Sequence, residues 1–414
     1  MIRPAAVRPS VAVPEDARLP QVAVLLDAEQ MASALGRALG RREPLPPPAI
    51  RYVRYRPGKN LCVHYVADVD GEEQHVVSMA SSKQDLAAVA ADPAYREPLA
   101  LVAPRTPAPQ PLLYDRALSA LIQWLPFDLD MPVLAEPPAA LATRLRALGV
   151  EIDPDHAELT LLQYRPRRRA ALGFGDHVLK VYRYERDYRD GVAGLELARS
   201  LGGLRTARGE AVLDDCRLTV QERLPGTPPS RRAELAREAG EVLRALHGHS
   251  SAGLQPLLPV DRLSAAATAV DLVSVLAPRL ERRVRALLAE LERRAPDVGA
   301  DLVTSHGDFH GGQLLELPGG PALINLDLVG GGPAALDLAN YAGHMVPKEA
   351  PDISAALAAL EALVEGYGSR PPWLDWYLSV SILRRVRVPF RNFEADWPEQ
   401  MGVMVTAAEA ALQR

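Results

Sequence analysis

The stretch Ser305-His306-Gly307-Asp308-Phe309-His310-Gly311-Gly312-Gln313 decides how this chain is read. It follows a long helical region and runs into the apolar pair Leu314-Leu315. A strand-like segment comes next, Ala322-Leu323-Ile324-Asn325-Leu326-Asp327-Leu328, with Asn325 twelve residues past Gln313. Pro318-Gly319-Gly320 supplies a turn between the two apolar runs. Gly330-Gly331-Gly332-Pro333 reads as a second, Gly-rich turn leading to Leu336-Asp337-Leu338-Ala339-Asn340-Tyr341. Two short strands joined in this way gather Asp308, Gln313, Asn325 and Asp327 around one cleft. Strand side chains repeat every two residues, so Asn325 and Asp327 are expected on one face. An isolated His-Gly-Asp is more often a hydrogen-bonded tight turn; the pattern downstream of it argues for a site.

The arrangement resembles the aminoglycoside phosphotransferase family, whose motif runs His-Gly-Asp, four residues, Asn, then Ile-Asp, then Asp-Leu-Ala. The resemblance covers roughly residues 160 to 390, and His306, Gly307, Asp308, His310, Pro333 and Asp337-Leu338-Ala339 fall in place. It implies an α+β, protein-kinase-like two-lobed fold, with a β-rich N-lobe, a helical C-lobe and, in this chain, an N-terminal extension. It also implies that Asp308 is the catalytic base beside an acceptor hydroxyl, that Gln313 is a metal ligand, and that the Asp of the following strand holds Mg²⁺ on the phosphates of ATP or GTP. Phosphoryl transfer suits such residues: the protein orients a hydroxyl, accepts its proton and offsets phosphate charge.

The chain departs from the family at two places. Gln313 stands where Asn is commoner, and Asn325, twelve residues before Asp337, stands where the main metal-binding Asp belongs. Asp327 lies two residues on. Magnesium favours one or two carboxylates, so a Gln313, Asn325 and Asp327 site is expected to depend on Asp327 or to be weak.

On the nucleotide side, Lys180 in Val178-Leu179-Lys180-Val181-Tyr182 matches the family's phosphate-holding strand lysine. It is one of four lysines among 47 basic residues, and a point charge on a thin stem fits between apolar strand residues where a guanidinium does not. Glu196, sixteen residues on within a helical pattern, is expected to pair with it; Glu185 is the alternative but sits close to the strand. Val220-Gln221-Glu222-Arg223-Leu224-Pro225-Gly226 resembles the hinge between lobes, so the backbone of Glu222, Arg223 and Leu224 is expected to meet a purine edge. The basic turn Arg167-Arg168-Arg169 is either solvated or placed over phosphates. No Walker-type Gly-x-x-x-x-Gly-Lys-Ser/Thr and no protein-kinase Gly-rich loop occurs. His247 and Asp337 read as structural, and Trp373, Trp376 and Phe390 as core or as the edge of the acceptor site.

Composition bounds the rest. The 414 residues are 48% hydrophobic and 24% charged with a net charge of −5, an ordinary globular balance with no basic field for nucleic acid or membrane. Cys62 and Cys216 have no partner at zinc-like spacing, and a soluble, cytoplasmic protein without signal peptide or membrane span is expected. Pro44 to Pro48, Pro104 to Pro111 and Pro225 to Pro229 mark joints, dividing the chain into an extension over 1–150, a nucleotide lobe over 151–224 and a helical lobe over 225–414. Ile50 to Tyr55 and Leu61 to Val69 read as a hairpin, and Leu218 to Glu222 as a strand. Helices are expected over 232–247, 262–294, 353–367 and 373–387. Tyr55-Arg56-Pro57-Gly58 recurs as Tyr164-Arg165-Pro166-Arg167, 109 residues on. The echo is either chance or a degenerate first copy of the nucleotide lobe, one without a lysine in the matching strand.

Three functions fit these residues. The first is a kinase of a small-molecule hydroxyl, such as that of a sugar or aminoglycoside. The second is a kinase-like binding module weakened at Asn325. The third is a kinase of Ser or Thr in a biosynthetic peptide.

Overall fold

Apolar alternation and a Pro-Gly turn build the first hairpin where the sequence predicts it. In the computed structural model, which describes residues 13–153, 158–229, 233–297, 301–347 and 352–414, β1 (Ala49–Arg56) pairs with β2 (Asn60–Val69) around that turn. Two short helices precede it, α1 (Gln21–Leu25) and α2 (Ala28–Ala38), the second capped by the Asp27 carboxylate on Glu29 and Gln30 N–H. β3 (Glu72–Ser81), α3 (Leu86–Ala90), α4 (Arg96–Val102), β4 (Leu112–Asp115) and β5 (Ala120–Trp124) complete an antiparallel sheet of order β1-β2-β3-β5-β4. After α5 (Pro138–Arg146), β6 (Leu159–Arg165), β7 (Arg169–Phe174), β8 (His177–Tyr182), α6 (Glu185–Ser200), β9 (Gly209–Leu213) and β10 (Leu218–Glu222) form a second sheet of order β6-β7-β8-β10-β9.

The two sheets share their strand order, and the Tyr-Arg-Pro echo falls at the same place in each. Tyr55 ends β1 and donates its hydroxyl to Asp16 Oδ2 at 2.7 Å, while Gly58 N–H donates to the same oxygen at 2.7 Å. Tyr164 nears the end of β6 and donates to Asp128 Oδ2 at 2.6 Å, while Arg167 N–H donates to it at 3.0 Å. Each aspartate opens the same local pattern, Asp16-Ala17-Arg18-Leu19-Pro20 and Asp128-Leu129-Asp130-Met131-Pro132. In each, the N–H two residues on returns to the other carboxylate oxygen, from Arg18 at 3.0 Å and from Asp130 at 2.8 Å. Gly58 and Arg167 both have positive φ, 64° and 57°. The basic turn is held at Arg167 by carboxylates, Asp128 on its backbone and Asp130 in an ion pair.

The helical part follows. It comprises α7 (Ala236–His247), α8 (Pro259–Leu276), α9 (Glu281–Arg293), α10 (Ala334–Met345), α11 (Ile353–Tyr367), α12 (Leu374–Arg385), α13 (Val388–Arg391) and α14 (Trp397–Leu412). The helical stretch expected over 262–294 holds two helices, α8 and α9, divided at Pro278, which cannot continue the ladder. The helix expected from 232 starts at Ala236, and Ser230 to Arg232 lie outside the described residues. Short strands interrupt the helices: β11 (Val303–Ser305), β12 (Leu314–Leu315), β13 (Ala322–Leu323) and β14 (Gly330–Gly332), paired β11 with β14 and β12 with β13. The Gly330-Gly331-Gly332 run is thus a strand and not a turn. A Cβ on Gly330 would lie 2.6 Å from Gln255 O, and one on Gly332 2.9 Å from Ser305 Oγ, so glycine serves close backbone approach here.

The chain forms two compact units. One holds residues 13–143, Tyr164–Ala170 and Val388–Glu399; the other holds the rest of the described chain. The segment Val388–Glu399, expected in the helical lobe, belongs to the first unit, where Phe390 is buried 6.2 Å from the Tyr55 ring. Trp376 is core of the second unit and donates to Leu291 O at 3.0 Å, whereas Trp373 is exposed. No helix among the described residues is long and apolar enough to cross a membrane.

Candidate active site

The His-Gly-Asp loop is shaped from beneath by one buried carboxylate. Asp337, in the first turn of α10, accepts from His306 N–H at 2.7 Å and Gly307 N–H at 3.0 Å, and lies 3.1 Å from His247 Nε2. Burial pushes the Asp337 carboxyl up, but His247, His306 and these N–H groups hold it below the usual carboxylate range. Gly307 has φ +81°, and a Cβ there would sit 2.1 Å from Leu328 O. Only glycine lets the loop turn this close to the 326–328 segment. The His306 imidazole closes the loop on Ile324 O at 3.0 Å.

Asp308 follows, its side chain 26% exposed, with Arg384 Nη2 3.3 Å and His344 Nε2 3.8 Å from Oδ1. Burial raises its carboxyl; Arg384, His310, Arg385 and His306 more than offset that, so it stays ionised below the ordinary range. An ionised, partly open carboxylate can accept a hydrogen bond from a hydroxyl and take its proton. Gln313 is buried with its side-chain amide nitrogen 3.1 Å from His310 Nε2, and its backbone carbonyl accepts from Ile324 N–H at 2.9 Å.

Lys180 meets neither expected glutamate. Its ammonium donates to Asp327 Oδ1 at 2.5 Å and Asn325 Oδ1 at 3.0 Å, and Tyr182 Oη donates to Asp327 Oδ2 at 3.1 Å. Glu196 is exposed on α6. The face of α6 turned toward this cluster instead carries Gly191, whose Cβ would meet Tyr182 Oη at 2.5 Å, and Gly194, whose Cβ would meet Leu326 O at 2.5 Å. Asp190 belongs to that side: burial, then the like charges of Asp187 and Asp327, push its carboxyl up against the pull of Arg186. Six residues turn a helix by about 240°, so Asp190 and Glu196 cannot share a face.

Asn325 and Asp327 converge on Lys180, but not by strand alternation. β13 ends at Leu323, Asn325 takes left-handed geometry at φ 64°, and 326–328 form a 3₁₀ turn. Asparagine is among the few residues that accept that geometry cheaply. As arranged, Gln313, Asn325 and Asp327 do not fit a preformed magnesium site. They bring one carboxylate, whose two oxygens are already engaged by Lys180 and Tyr182. Among the described residues no cluster of three His, Cys, Asp or Glu side chains could hold a metal ion.

At the expected hinge, Glu222 N–H donates to Arg208 O at 2.9 Å and Arg223 N–H to Asp176 O at 2.8 Å. These two N–H groups are engaged within the fold. Leu224 packs with Ala207, Leu315 and Ala322.

The stretch that carries this geometry has known relatives. Residues 175–377 match the model of the phosphotransferase enzyme family. Among solved structures, the chain is similar to a spectinomycin phosphotransferase in complex with ADP and spectinomycin, at 13% identity and TM-score 0.49, covering 67% of this chain and 99% of that one. It is also similar to a macrolide 2'-phosphotransferase from Brachybacterium faecium, at 21% identity and TM-score 0.43, covering 66% and 97%. A third is a choline/ethanolamine kinase family protein from Mesorhizobium loti, at 14% identity and TM-score 0.47, covering 66% and 95%. No curated protein matches the chain. Within the phosphotransferase segment, sequence reasoning missed Tyr182, Asp190, Asn340 and Arg262, and just past it Arg384. Tyr182 and Asn340 stand in the quoted stretches but carry no family role there, and the arginines are hidden among 43 of their kind.

Proposed function

We propose that this protein transfers the γ-phosphoryl group of ATP or GTP to a hydroxyl of a small molecule. The observation that carries the reading is Asp308: an ionised carboxylate, a quarter exposed, on a loop whose backbone Asp337 clamps, in the same unit as the Lys180–Asp327 pair. The acceptor oxygen bonds to the γ-phosphorus as the bond to the β-phosphate oxygen breaks, and the nucleoside diphosphate leaves with the electron pair. The hydroxyl proton passes to Asp308. Lys180 supplies the positive charge for the phosphates, and Leu224 with its apolar neighbours flanks the base. With labelled ATP and an identified acceptor, Asp308→Asn should lose on the order of 10²-fold or more in turnover. Near-native transfer by that variant would place the base elsewhere.

A second reading has its own support. The only carboxylate of the expected metal set is tied to Lys180, and its neighbour is the amide of Asn325, which favours a weakened, nucleotide-binding module. Metal-dependent hydrolysis of labelled ATP by the wild type separates the two readings.

We also infer that the first unit contains a copy of the nucleotide lobe that has lost its phosphate chemistry. The shared strand order and the two Asp-Tyr clamps support this. Aligning His75 with His177 puts Ser78 at the place of Lys180. Ser78 is fully buried, 2.8 Å from Tyr65 Oη, and offers no cation. Calorimetry should therefore give one nucleotide per chain, abolished by Lys180→Ala; a second equivalent would sink the inference.

A further inference from the structure

Two arginines stand against the Asp308 loop with donors unfilled. Arg384 on α12 is 16% exposed, and among the described residues only its Nη2 is engaged, by Asp308 Oδ1 at 3.3 Å and Asn340 Oδ1 at 3.2 Å. Asn340 is itself fixed by Ser381 Oγ at 2.9 Å, so the guanidinium is aimed and not merely tethered. Arg262 on α8 has its Nε buried with no acceptor among the described residues. Burial, then repulsion by Arg384, pulls the Arg262 guanidinium down to about 10, and Asp337, Asp308 and Asp261 restore only part of this.

The local carboxylates are nearly all spent. Asp337 serves His247 and two backbone N–H groups, and Asp261 accepts from Leu258 N–H at 3.2 Å at the start of α8. Among the described residues, Asp308 is the carboxylate that Arg384 contacts and that also acts on Arg262. His344 forms a further wall: it takes a bond from Arg385 Nη1 at 2.6 Å and stacks on His310 with centroids 3.9 Å apart. Like charges with unmet donors on two packed helices, both half-buried, cost stability unless an anion joins them. Guanidinium forks match the oxygens of a carboxylate or phosphate.

We propose that the acceptor carries an anionic group, a carboxylate or a phosphate monoester, bound by Arg262 and Arg384 beside the hydroxyl that faces Asp308. Cationic acceptors are excluded by the same two charges. The proposal rests on the phosphotransfer reading for the role of the site, but the anion site itself is testable without turnover.

The probes are four six-carbon compounds of the gluco configuration: glucosamine, glucose, open-chain gluconate and glucose 6-phosphate. Each is titrated calorimetrically into the full chain and then offered as acceptor with labelled ATP. Gluconate or glucose 6-phosphate should bind at least tenfold more tightly than glucose, the stronger of the two telling carboxylate from phosphate, and glucosamine should bind more weakly than glucose. The preference should vanish in Arg384→Gln and in Arg262→Gln and persist in Arg384→Lys. The two glutamine variants are separate, so one that fails to fold leaves the other to carry the comparison. Equal binding of glucose and the anions, no binding of either anion, or a preference for glucosamine overturns the proposal. Anion binding with no label transfer to any of the four counts against phosphotransfer and leaves the anion site standing. Transfer to glucosamine does the reverse.

Discussion

Lys180, Asn325 and Asp327 are three residues whose energies are tied together. The ammonium is almost fully buried, and the Asp327 carboxylate answers it at 2.5 Å. Removing one charge strands the other, which costs about 3–5 kcal/mol, while removing both can be nearly neutral. Lys180→Met should thus destabilise the second unit by an amount in that range. Lys180→Met combined with Asp327→Asn should recover most of it, as read by urea unfolding. Full additivity of the two losses would mean that they do not act as a pair. Asn325→Asp adds a second carboxylate beside the ammonium without straining φ, since aspartate also tolerates left-handed geometry. Calorimetry should find tighter Mg·ATP binding for that variant than for wild type; unchanged affinity and turnover would remove Asn325 as the weak point of the site.

Close packing at glycines decides where elements can lie. α6 approaches the 326–328 turn through Gly194, where a Cβ would come within 2.5 Å of Leu326 O, a backbone atom that cannot swing away. Gly202, just past the same helix, has nothing within 4 Å of its Cβ position. Gly194→Ala should lower stability and nucleotide affinity together, whereas Gly202→Ala should be neutral or stabilise by about 0.4–1 kcal/mol. Parallel melts of the two variants provide the comparison, and equal effects would show that α6 does not need this contact. The start of α10 depends on charge. Asp337→Asn keeps the shape but sets an amide N–H against one of the donors it now satisfies, at about 1–3 kcal/mol for each group left unpaired. Its folded carboxyl is depressed, so its contribution is present above the unfolded value near 3.9 and fades as pH falls through the folded one. A melt series should find wild type and Asp337→Asn converging toward low pH; a constant gap would assign the difference to shape alone.

At the scale of the molecule, the first unit carries its own acid liability. His64 is buried 3.0 Å from His75, and burial first, then His75, hold its ring down at about 3. The folded ring stays neutral while the unfolded one protonates near 6.5. Stability from this group is complete above that value and is lost as pH falls toward 3, by at most about 1.4 kcal/mol per pH unit. His64→Gln should flatten the loss between pH 6 and 4 in hydrogen exchange of the β2 and β3 amides. An unaltered slope would point to other groups.

His-Gly-Asp, the Asp-Leu-Ala that follows it and the apolar runs between them are local patterns, and they carried the family resemblance and the place of Asp308 in a loop. The hairpin at Pro57-Gly58 and the strand Leu218–Glu222 were equally legible, because period-two alternation and turn chemistry act over a few residues. Partner choice was not. Whether Lys180 answers Glu196, Asp190 or Asp327 depends on the rotation of α6 and on a left-handed turn at Asn325, each set by contacts between residues far apart in the chain. The Gly330–Gly332 run has the composition of a turn and becomes a strand because Gln255, Leu257 and Ser305 crowd it. Arg262 and Arg384 lie 122 positions apart in the sequence, and only folding sets their charges against one aspartate. The likeness of the two sheets was faint in four residues and shows in the shared strand order. Hydrogen-bond topology persists where side chains have drifted, since the backbone groups that make it are the same in every residue.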